Sequence, residues 1–207
     1  MRARSALSIL ALAAAACALP GVASAHLNAS GMGPIYDGIV HFGLSPEDSL
    51  PVAALGLYAG LRGQAHSRLV LGVLPLAWIA GGGLAMAGAG LPAVALSAVT
   101  AALFLAIGGL LAANAELAPR LVAAAAAALG VTRGLADLAG VAPSLPHTGA
   151  LIGMSACVFA LFALAASLTL PLTRLWMIIA VRVGGSWLAA TGLLLAGWIW
   201  RYGARAV

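Results

Sequence analysis

The stretch "HFGLSPEDSLPVAALGLYAGLRG", residues 41–63, decides how this chain is read. From Val52 to Leu61 it is apolar apart from a tyrosine and two glycines, and an arginine closes it. At its head, Ser45-Pro46-Glu47-Asp48 is a helix start. Serine suits the N-cap, proline the first helical position, and two carboxylates the first turn, where the helix dipole favours negative charge. An apolar helix with charge confined to its ends is the form of a membrane span.

The rest of the chain agrees. Of 207 residues, 63% are hydrophobic and 7% charged, and mean hydropathy is +1.10. Soluble domains carry about 25% charged residues. This chain is therefore expected to be an integral membrane protein of all-α class. A net charge of +5 does not indicate nucleic acid, because the ten basic residues are all arginines, scattered singly with no aromatic platform. They read instead as topology signals.

Upstream, Arg2 and Arg4, the apolar run "ALSILALAAAACAL" and Ala23-Ser24-Ala25 have the form of a cleaved signal peptide over residues 1–25. Cleavage there makes His26 the first mature residue, offering an α-amine and an imidazole together. An uncleaved seventh span is the rival reading. Without the leader, Cys157 is the remaining cysteine and lies in an apolar run, so neither a disulfide framework nor a thiolate metal site is expected.

Six spans are expected after the leader, at about 46–62, 68–88, 91–113, 119–141, 148–170 and 174–200, forming one domain over 46–207. Export of His26 puts the mature N-terminus in the periplasm of a bacterial inner membrane. Arg62, Arg68, Arg120 and Arg174 then fall in cytoplasmic connections, while the break "APSLPH" (142–147) lies outside without arginine. Arg201 and Arg205 run mildly against this pattern. Gly56/Gly60, Gly130/Gly134 and Gly149/Gly153, with "GGG" at 81–83 and "GG" at 108–109 and 184–185, are expected to let helices approach closely.

Segment 26–45 separates leader and first span. Its "GPIYDGIVHFG" (33–43) is too short to cross a bilayer and is expected to form a re-entrant or interfacial helix. Asp37 and His41, four residues apart, share a face of it. The next turn returns Glu47 and Asp48 towards them. The bland alternative is that both carboxylates only cap the first span. The sharper one is a divalent-cation site of nitrogen and oxygen donors, suited to nickel, cobalt or zinc, built from His41, Asp48, Glu47 and Asp37 with help from His26.

Arg133 and Asp137, in "LGVTRGLADLAG", are also four residues apart, inside the fourth span. Charges within a span face the bundle interior and pair. They are expected to be a structural ion pair or an inner waypoint balanced by arginine. His66 is expected to be solvated in an arginine-rich loop, and His147 is a loop histidine or part of a vestibule. Serine–histidine–acid, Walker and paired-histidine haem patterns are not seen, so no enzyme is expected.

Leader, Ala-His junction, short exported piece and "HFGLSPEDSLPVAALGLYAGLRG" together resemble the HupE/UreJ family of small membrane proteins. Family members are regarded as nickel or cobalt permeases, or as accessories of metallocentre assembly. In the family pattern a histidine precedes an Asp-His pair, and a later helix carries His-Gly. Here His41 stands for the leading histidine, Glu47-Asp48 for the pair and Arg133-Gly134 for His-Gly, with Asp137 following. The resemblance implies a nickel or cobalt permease with no permanently bound cofactor. Its partners would be membrane lipid, the divalent ion, and either further copies of itself or metalloenzyme maturation proteins. The alternative it implies is a non-transporting scaffold of hydrogenase or urease assembly.

Overall fold

The computed structural model describes residues 32–139 and 147–202. The expected leader and His26 lie outside them. Seven helices are formed among the described residues: α1 Pro34–Leu44, α2 Pro46–Arg62, α3 Gln64–Met86, α4 Ala93–Ala113, α5 Pro119–Ala139, α6 His147–Thr169 and α7 Leu175–Tyr202. The all-helical expectation is met, and "GPIYDGIVHFG" forms the short α1. Five helices, α3 to α7, are long and apolar enough to cross a membrane. The helix α2 is shorter, with 17 residues. At 1.5 Å per residue it reaches about 25 Å, against a hydrocarbon core of about 30 Å. Pro51 lies inside α2 and Pro75 inside α3, and both helices run unbroken through them.

The helices associate in close pairs. α3 lies along α5, α4 along α7, and α1 with α2 along α6. Glycine makes each pairing possible. A side chain at Gly130 or Gly134 would run into the backbone of Leu74 or Trp78 on α3. Gly56 and Gly60 face Phe162 and Ala166 on α6, and Gly153 faces Ile35 on α1. Gly108 and Gly185 face each other's backbones. By contrast, Gly83, Gly109 and Gly184 look into open space, so only some members of the glycine runs are contact points. Apolar side chains fill the centre, among them the fully buried Leu55, Tyr58, Leu74, Trp78, Met154 and Phe162. α7 buries only Gly185, Leu188 and Gly192, and presents Trp176, Trp187 and Trp200 outward.

One end of the bundle is tied by arginine. Arg62 donates to the carbonyl and side-chain oxygens of Asn114 and pairs with Glu116 at 3.3 Å. Tyr58 donates its hydroxyl to Ala115 O at 2.8 Å, and Arg182 donates to Ala112 O at 2.8 Å. His66, expected to be merely solvated, instead places Nε2 2.9 Å from Leu117 O. The polar centre described next lies at the opposite end.

Candidate metal centre

The centre begins at a single residue. Ser45 is extended (φ −99°, ψ 95°) and separates α1 from α2. It was expected to cap α2 through its hydroxyl, but that hydroxyl donates backwards to His41 O at 2.8 Å. The backbone accepts the capping role: Asp48 N–H and Ser49 N–H both donate to Ser45 O at 3.0 Å. The last turn of α1 and the first turn of α2 are thereby locked together, which holds His41 beside Asp48.

Consecutive helix residues point about 100° apart, so Glu47 and Asp48 cannot both face inward. Asp48 does, and is fully buried. Glu47 turns outward, with its side chain 60% exposed. It is not one of the three residues whose ligand atoms lie within 4.8 Å of one another; its carboxylate reaches Arg133 Nη2 instead, at 3.1 Å. Asp37 is buried in α1 and is likewise not one of those three. The helical rise sets it about 6 Å back along α1 from His41, whereas the reversal at Ser45 brings α2 to the His41 end.

Asp137 takes the third place. Arg133 and Asp137 lie inside the fourth long apolar stretch as expected, in the last two turns of α5. That end of α5 meets the α1–α2 junction. Asp137 is thus no deeper waypoint: His41 Nε2 lies 3.8 Å from its Oδ1. One ligand atom from each of His41, Asp48 and Asp137 falls within 4.8 Å of the others.

Arg133 organises the group. Its Nε donates to Asp48 Oδ1 at 2.5 Å, its Nη2 lies 3.1 Å from Glu47 and 3.4 Å from Asp137 Oδ1, and its Nη1 donates to Thr100 on α4 at 3.3 Å. The expected Arg133–Asp137 pair exists, but the shorter contact is to Asp48, 85 residues away. Thr100 was missed by sequence reasoning, since a lone threonine in an apolar helix carries no signal of its own. Behind Arg133, Gly134 admits the Trp78 backbone, and Trp78 packs edge-on against Phe42 at 5.8 Å. α3 thus braces both α5 and α1 next to the charged groups.

Two features give the centre its chemistry. Asp48 Oδ2 and Asp137 Oδ2 are buried and have no hydrogen-bond partner. Buried carboxylate oxygens without a partner are costly. A cation ligated by both would relieve that cost. The Asp137 carboxylate also holds the His41 proton above the ordinary imidazole range near 6.5, outweighing burial, which acts the other way. His147, at the start of α6, was not brought into this set.

Fold and centre together define a polytopic helical membrane protein in which, among the described residues, one group of converging imidazole and carboxylates has the donors of a cation site. A family model described as HupE / UreJ protein matches residues 13–195, and the chain belongs to that family. Searches of curated proteins and of solved structures each returned no match.

Proposed function

We propose that this protein is a membrane permease for a divalent transition metal, nickel or cobalt, and that His41, Asp48 and Asp137 are its ion-binding residues. The observation that carries this reading is the convergence of one imidazole and two carboxylates whose outer oxygens are buried and unpartnered. Mixed nitrogen and oxygen donors suit nickel, cobalt and zinc over calcium, which takes oxygen alone. Family membership supports the same cargo. On the proposed six-span topology, with α2 as the first and shortest span, the cluster would lie at the periplasmic end. Glu47, exposed beside it, would draw cations towards the centre. The membrane potential, inside negative, favours cation uptake by about 2.3 kcal/mol per charge per 100 mV.

A second reading has its own observation. Arg133 links α2, α4 and α5 through Asp48, Thr100 and Asp137, as a purely structural lock would, in a scaffold for metallocentre assembly. Uptake separates the two. Asp48→Asn, which keeps an oxygen acceptor for Arg133 while Asp137 and Glu47 still balance its charge, and His41→Ala are each expected to abolish nickel accumulation while the protein stays in the membrane. Undiminished accumulation in both variants would end the permease reading.

A further inference from the structure

Each buried carboxylate of the centre gives one oxygen to Arg133 and keeps one free. Asp48 and Asp137 turn Oδ1 to the guanidinium, and their Oδ2 atoms are the unpartnered ones. The guanidinium is pinned on three helices, with Nη1 on Thr100 and Nη2 shared with Glu47, so it is not free to swing away when an ion arrives. It carries its charge at every pH the protein meets. The buried charges are then two negative and one positive. A divalent ion joining Asp48, Asp137 and His41 meets carboxylates already half neutralised and a fixed positive charge close by.

Such an arrangement lowers affinity, and low affinity serves passage. An ion in transit must be held well enough to bind and loosely enough to leave. On the reading of this centre as a cation site, we propose that Arg133 is a built-in competitor for the ion. It is a positioning residue that fixes Asp48 and Asp137 by one oxygen each, and its charge keeps the hold on a divalent cation weak enough for release.

The test uses the full-length protein in lipid nanodiscs, titrated with Ni²⁺ by calorimetry, and in proteoliposomes for Ni²⁺ uptake. Arg133→Gln is expected to bind Ni²⁺ at least about tenfold more tightly, because a charge repelling a divalent ion at short range has gone. Its uptake is expected to show both a lower KM and a lower kcat. Arg133→Lys, which keeps the charge, is expected to return the affinity to within about threefold of the original. A folded Arg133→Gln protein that binds Ni²⁺ no more tightly than the original overturns the proposal and leaves the cation site standing. Absence of Ni²⁺ binding from both removes the cation reading itself. Should Arg133→Gln fail to accumulate, Ni²⁺ in the growth medium is expected to restore its membrane level, since the ion replaces the missing positive charge. Failure with and without Ni²⁺ counts against competition for the same carboxylates.

Discussion

Arg133 and Asp48, separated by 85 positions in the chain, meet with Nε 2.5 Å from Oδ1, and both side chains are almost wholly out of contact with solvent. The pair joins the first turn of α2 to the penultimate turn of α5. Taking either partner alone leaves a buried charge without its counter-ion, which costs about 3–5 kcal/mol. Asp48→Leu and Arg133→Met are each expected to lower the unfolding temperature sharply and deplete the protein from membranes. The double variant is expected to recover stability but not metal binding. Thermal unfolding of the three proteins in detergent, beside a nickel titration, checks this; a double variant no more stable than the singles would refute the pairing.

The raised pKa of His41 gives two pH dependences of opposite sign. Protonated imidazole paired with Asp137 stabilises the metal-free protein. That contribution is full below about 6.5 and is lost as pH rises through the higher folded value. Metal binding needs neutral imidazole, so Ni²⁺ affinity is expected to fall as pH drops through the same raised value. Titrations between pH 6 and 9 are expected to show affinity climbing with pH in the original protein. His41→Gln is expected to flatten much of that slope while reducing affinity throughout.

Gly134 sets the distance between α5 and α3. Gly134→Ala drives a methyl group into the Trp78 backbone, which cannot yield as a flexible side chain can. A loss of about 1–3 kcal/mol is expected, the usual cost of overpacking, together with weaker metal binding because Arg133 precedes it on the same turn. Gly109→Ala, facing open space, is the control. It is expected to change stability by no more than about 1 kcal/mol, in the stabilising direction. Equal effects at the two positions would contradict the close approach.

The Ser45 hydroxyl is bonded to the carbonyl of His41 and not to the amides of α2. Ser45→Ala is accordingly expected to cost about 0.5–1.5 kcal/mol. It should also weaken nickel binding, since the last turn of α1 loses its tether. Ser45→Asp, which would restore an ordinary N-cap, is expected not to recover that affinity. Calorimetry on the two variants decides between a tether and a cap.

Much of this protein was written in local pattern. Apolar runs long enough to cross a bilayer gave α3 to α7, and the Ser-Pro-Glu-Asp start gave the head of α2. The short α1 was legible because "GPIYDGIVHFG" is apolar yet too short to cross a bilayer. Of the site, His41 and Asp48 were expected together, and Arg133 and Asp137 were marked as a charged pair within an apolar helix. Those readings needed only spacing along one helix and the cost of charge in an apolar setting.

What spacing could not give was depth and facing between helices. Arg133 and Asp137 read as charges inside the fourth span, and the break at 142–147 marked where that span ends, but nothing along the chain showed which helices that end would meet. Glu47 and Asp48 are equivalent by composition, and only the rotation of α2 against α5 buried one and left the other at the surface, although both reach Arg133. The sequence by itself determined the helices, their membrane lengths and the residue types available for a cation. The tertiary structure alone decided that the end of α1, the start of α2 and the end of α5 come to one place, so that charges from two separate motifs form one cluster. The glycine pairs four residues apart marked where helices touch, but which helix each would meet, and the ion pairing across 85 residues, leave no periodic trace along the chain.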